Sequence, residues 1–151
     1  LLDRARAAGL TVRPTFVPFT PWPELADIVD LTDVIAAREL EAQVAPVQLS
    51  VRLLVPAGSL LLERPELTAA FGAHDPAALG HRWRHGEARV DRLQADIAAL
   101  VAQHAREDRA PEITFDAIRT LARSAAGLAT SPSRARPRPR TLARLSEPWF
   151  C

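Results

Sequence analysis

The chain has 151 residues, a formal net charge of +1, 48% apolar residues and 25% charged ones. That balance suits one domain with a real core and excludes a wholly disordered, collagen-like or disulfide-scaffold chain. All 19 basic residues are Arg, and a single Cys excludes an internal disulfide or any multi-cysteine metal or iron–sulfur site built from this chain alone.

Residues 1–131 hold 14 Arg against 17 acids and residues 132–151 five Arg against one Glu, so the basic excess is a property of the tail. No apolar run approaches the roughly 18 residues that span a bilayer. Leu1-Leu2-Asp3-Arg4 is no signal-peptide start, so a cytoplasmic location and no membrane partner are expected. Without an initial Met, the chain reads as beginning inside a longer reading frame or as trimmed.

Leu1 to Ala8 reads as the end of a helix, with Gly9 at its C-cap. Thr11 to Phe19 is β-branched, aromatic and rich in Pro, which predicts a strand ending near Pro18. After the stiff turn Thr20-Pro21-Trp22-Pro23, Leu25, Ile28, Val29, Thr32 and Ile35 make one face of a helix, with Asp27, Asp30 and Asp33 away from it. Val47 to Leu53 alternates, with Val47, Leu49, Val51 and Leu53 facing one way and Gln48, Ser50 and Arg52 the other.

Helix, strand, helix, strand with short links predicts a parallel α/β arrangement. The polar phase of the second strand, matched by Arg13 and Thr15 on the first, suits a barrel interior that holds a polar ligand. A half-exposed edge strand accounts for it equally well.

From Leu60 onward the pattern predicts helix. A short helix spans Arg64 to Phe71, and Asp75-Pro76 reads as an N-cap followed by Pro at the first position. Val90, Leu93, Ile97, Leu100, Val101 and His104 mark a long amphipathic helix ending near Glu107. A last helix runs from Thr114 as N-cap to Gly127. Ser131 to Arg140 alternates Pro and Arg and reads as a linker.

His81 and His85 stand four apart, a spacing that offers two metal ligands on a helix. No acid lies between them and no third ligand is indicated, so both read as structural, around a buried Trp83. The Arg-Pro tail has no interleaved aromatics and the rest of the chain is acidic, which disfavours nucleic acid as a partner. Cys151 is a terminal thiol directly after Trp149-Phe150.

Three stretches together resemble the C-terminal part of one radical S-adenosylmethionine (seleno)protein family. They are Arg13-Pro14-Thr15-Phe16 through Trp22; Val47 through Pro56-Ala57-Gly58-Ser59; and Asp75-Pro76-Ala77-Ala78-Leu79 through Trp83, His85, Arg89, Asp91 and Leu93-Gln94. The final Leu145-Ser146-Glu147-Pro148-Trp149-Phe150-Cys151 is similar to the approach to that family's Cys-Sec-Ala-Glu-Pro or Cys-Cys-Ala-Glu-Pro tail. The family's Cys-x3-Cys-x2-Cys motif is absent from this sequence, and so is everything after the first tail cysteine.

The resemblance implies an α/β fold. Residues 1–63 would be the last strands and helices of a partial (β/α)6 barrel, 64–130 a mostly helical extension, and 131–151 an Arg/Pro-rich, disordered linker with a redox-type tail. It implies a [4Fe–4S] cluster and S-adenosylmethionine as cofactors of the full-length protein. There, cleavage of adenosylmethionine starts hydrogen abstraction on a small-molecule or peptide substrate, and a reductase is a possible partner. Arg13, Thr15, Gln48, Ser50 and Arg52 are then the candidate cofactor- or substrate-binding residues, and Cys151 the candidate redox residue beside a selenocysteine codon. By itself the chain would be inactive. The alternative is a small non-enzymatic helical interaction module with an Arg-rich tail.

Overall fold

The computed structural model describes residues 2–130. In chain order the elements are α1 (Leu2–Ala7), α2 (Leu25–Ala37), α3 (Pro65–Thr68), β1 (Phe71–Asp75), β2 (Gly80–Trp83), α4 (Ala88–Arg106) and α5 (Pro111–Ala125). Single 3-10 turns occupy Pro46–Ser50, Leu60–Glu63 and Pro76–Ala78. The fold is mixed, mostly helical, with one two-stranded antiparallel sheet.

The core follows from three amphipathic faces. Leu25, Ile28, Val29, Ile35 and Ala36 of α2 meet Val90, Leu93 and Ile97 of α4 and Phe115, Ile118 and Ala122 of α5, with Phe19 and Leu49 set between them. The apolar face read from the spacing in α2 is fully buried, Thr32 included, whose hydroxyl donates to Val29 O at 2.8 Å. Asp33 lies off that face and clamps α2 to α5, accepting from Arg119 Nε at 2.7 Å and Arg123 Nη1 at 3.0 Å. Donors four residues apart on α5 stand one above the other, so one carboxylate reaches both.

Helix ends follow the expected chemistry at two places and depart from it at others. α1 stops at Gly9, whose φ of 69° is left-handed, and Leu10 N–H closes back on Ala5 O at 2.8 Å. α4 and α5 match the periodic segments. Thr114, however, is no N-cap. Pro111 takes the first position of α5, where its missing N–H costs nothing, and Thr114 is buried one turn inside.

The two expected strands are corrected by the structure. Residues 11–18 are extended and keep a two-residue burial period, but Pro14 and Pro18 have no N–H to give a ladder. Val47 to Ser50 is not a strand either. Pro46 opens a 3-10 turn there, and Ser50 Oγ donates back to Val47 O at 2.9 Å, a local bond that competes with sheet pairing. The chain becomes extended only after Ser50. The two runs meet in parallel at one bridge, Phe19 with Arg52, through Phe19 N–H to Val51 O (3.3 Å) and Leu53 N–H to Phe19 O (2.8 Å).

The expected short helix from Arg64 to Phe71 and the helix start at Asp75-Pro76 are also corrected. α3 lasts four residues, and the chain then turns back as the hairpin β1–β2, with Phe71 opposite Trp83, His74 opposite His81 and Asp75 opposite Gly80. The Asp75-Pro76 cap is real but serves a single 3-10 turn, with Asp75 accepting from Ala77 N–H at 2.9 Å. Leu79 then takes a left-handed φ of 57°, which reverses the chain. β2 lies against the extended run 51–55, with His81 N–H donating to Val55 O at 2.7 Å.

Glycine is required at position 80 by proximity. A Cβ there would sit 2.6 Å from Val55 O and 3.0 Å from Val55 C, both backbone atoms that cannot rotate aside. Gly80→Ala is therefore expected to lower the unfolding free energy by about 1–3 kcal/mol, read by urea denaturation. Gly86→Ala supplies the baseline, since a Cβ at Gly86 meets nothing within 4 Å. Equal stability of the two variants would contradict the close approach.

Candidate functional site

A polar cluster forms where the run 51–55, the exit of β2 and the start of α4 meet. Arg52 Nη1 donates to Asp91 Oδ1 at 2.7 Å, and its Nη2 donates to the carbonyl of Trp83 at 3.2 Å. The guanidinium lies over the Trp83 ring, 4.0 Å from the centroid, a cation–π contact. Trp83 is fixed in turn by its indole N–H, which donates to Leu53 O at 2.9 Å. Asp91 also accepts from His85 N–H at 3.1 Å, so one carboxylate in the first turn of α4 holds two other segments. One turn further, Gln94 Nε2 donates to Ser50 O at 2.9 Å.

His85 completes the cluster. His85 Nδ1 lies 2.9 Å from Glu87 N–H and 3.2 Å from Glu87 O. The ring's Nε2 is buried and has no hydrogen-bond partner among the described residues. A buried ring nitrogen left this way usually marks a place for water or another donor–acceptor group.

The candidate residues read from the sequence are only partly brought together. Gln48 reaches across to the first extended run, where its Oε1 accepts from Phe16 N–H at 3.3 Å. Ser50 is turned into its own 3-10 turn. Arg13 and Thr15 lie on the exposed side of the extended run, while Pro14 and Phe16 lie on its half-buried side. Arg52 is held by Asp91 of α4 and by Trp83. Cys151 and the linker from Ser131 lie outside the described residues.

His81 and His85 do not share a helix face. His81 belongs to β2 and His85 follows it in a loop. The residues that sequence reasoning left without a partner are Asp91 and Trp83. They lie 39 and 31 positions from Arg52, and no local spacing rule links groups that far apart.

Two further features complete the electrostatics and the concavities. The Arg82 guanidinium beside Asp75 holds that carboxyl below its ordinary range, helped by the N–H of Ala77. A cavity of about 220 Å³ opens between α1 and the turns at 9–12 and 40–43, lined by Leu2, Arg6, Leu10, Val12, Leu40 and Gln43 among others. None of the candidate site residues lines it. No helix among the described residues is long and apolar enough to cross a membrane. No family model, curated protein or solved structure matches the chain.

The Arg52–Asp91 pair is about one-third exposed on both sides, so solvent screens it and its coupling is modest. A double-mutant cycle of Arg52→Leu with Asp91→Asn, which keeps an acceptor for His85 N–H, is expected to give a coupling of about 1 kcal/mol in urea denaturation. Arg52→Lys is expected to recover little of it, since an ammonium has no planar fork to serve Asp91, Trp83 O and the indole face together. Additive single-variant effects would contradict the clasp.

Proposed function

We propose that this chain is the C-terminal portion of a radical S-adenosylmethionine enzyme, acting on a substrate that its own residues do not specify. The observation that supports this most is the convergence of the stretches that carry the resemblance. Trp83, His85, Asp91 and Gln94 come from one stretch, and all four are bonded to one another or to Ser50, Arg52 and Leu53 of another. A single parallel bridge joins Phe19 to Arg52 with α2 between them in sequence, the chain order of a β-α-β unit though neither run forms a strand.

The cofactors fit this chain unequally. A [4Fe–4S] cluster needs several thiolates, and the chain has one Cys. No group of three or more metal-ligating side chains lies together among the described residues. The cluster would belong to a segment outside this sequence, and no step is derived through it. Toward adenosylmethionine or substrate, the chain would offer the polar side chains of Gln48, Arg13 and Thr15. Arg52 is engaged by Asp91 and Trp83.

Reading the gene on both sides of this sequence tests the proposal. The expected result is an in-frame Cys-x3-Cys-x2-Cys upstream, and downstream a UGA followed by codons for Ala-Glu-Pro. The restored frame, produced anaerobically, is then expected to cleave adenosylmethionine when reduced. An ATG close to Leu1 together with a UAA or UAG after Cys151 would overturn the proposal and favour a non-enzymatic helical module.

A further inference from the structure

The hairpin sets His74 and His81 directly opposite one another, with ring centroids 5.4 Å apart. We propose that these two imidazoles form a binding site for a borderline divalent transition metal such as zinc. The inference stands apart from the radical-enzyme reading and needs no residue of that site.

Strand geometry brings the two rings close. His81 N–H donates outward to Val55 O, away from β1, so His74 and His81 form the non-hydrogen-bonded kind of antiparallel pair. Side chains approach closest in such pairs, with Cβ atoms about 4.5–5.5 Å apart. Two imidazoles sharing one tetrahedral zinc at about 2.0–2.1 Å from each nitrogen hold their centroids about 5 Å apart. The observed separation is 5.4 Å, with the rings set edge to face at 70°.

The tautomer of His81 is also set for a metal. Its Nδ1 lies 2.8 Å from Gly72 O. A carbonyl can only accept, so Nδ1 carries the proton and the lone pair is on Nε2. A ring N–H given to a backbone carbonyl is the usual arrangement behind a metal-bound His. The irregularity in β1 supplies that carbonyl: between the His74 and Phe71 pairings, Gly72 and Ala73 oppose Arg82 alone. A Cβ on Gly72 would meet Arg82 O at 3.2 Å, so the bulge is tight.

The site has two protein ligands. Asp75 is next in sequence, but its carboxylate is taken by Arg82 and by the N–H groups of Ala77 and Ala78. Two imidazoles without a carboxylate suit zinc, copper or nickel and disfavour magnesium or calcium. The remaining coordination positions would be filled by water or by a donor from a partner.

The test is a zinc titration of the full chain at neutral pH, followed by the imidazole NMR signals. The expected result is saturable one-to-one binding that shifts the His74 and His81 rings together and leaves His85 in place, with no response to magnesium. His74→Gln and His81→Gln are each expected to weaken zinc binding roughly tenfold or more. Cys151→Ser is expected to leave it unchanged. His74 is exposed, so His74→Gln keeps the fold and decides the matter if His81→Gln does not fold. Zinc affinity unchanged in His74→Gln, or lost in Cys151→Ser, would overturn the proposal.

Discussion

Asp91 stands where three segments must be joined without a sheet to join them. It accepts from the guanidinium of Arg52 and from the backbone N–H of His85, and so ties the run 51–55 and the exit of the hairpin to the first turn of α4. Its position helps, because a carboxylate in the first turn of a helix also faces the positive end of the helix dipole. The neighbouring links run the same way: the Trp83 indole to Leu53 O, Gln94 to Ser50 O and His81 N–H to Val55 O. Side chains and single backbone bonds thus do the work that a ladder does in a continuous parallel sheet.

This constraint explains which parts of the fold were legible in the sequence. α2, α4 and α5 could be read because each presents an apolar face at helical spacing, and those faces make the core. The run from Val47 could not. Its alternation is genuine, but Pro46 fixes the entry, and the Ser50 hydroxyl finds an acceptor three residues back, so the local turn wins over the pleat. The segment 11–18 is a milder case: its two-residue period survives as burial, while its prolines withhold the donors a strand needs. The hairpin was missed because its strands are only five and four residues long and hold Gly72 and Gly80. Those glycines serve close backbone approach, at Arg82 O and Val55 O, which no propensity scale registers.

The candidate site was half legible for the same reason. Arg52, Gln48 and Ser50 could be singled out as a polar phase, but a phase says nothing about what it meets. Arg52 meets Asp91 and Trp83, Gln48 meets a backbone N–H, and Ser50 meets its own turn. The histidines show the converse. The four-residue spacing of His81 and His85 was read as structural, and the register of the hairpin pairs His81 with His74 and leaves His85 to meet Glu87 N–H at the approach to α4.

The Arg52–Asp91 clasp joins the run 51–55 to the first turn of α4, where no continuous strand ladder among the described residues does so. Native-state hydrogen exchange on wild type and Arg52→Leu tests it most directly. The account expects the amides of Leu53 and His81 to lose protection in the variant, while that of Ile118, in the buried face of α5, keeps its own. Leu53 retaining its protection in Arg52→Leu, with Thr15 and Val17 equally protected, would reveal a continuous ladder and contradict the account.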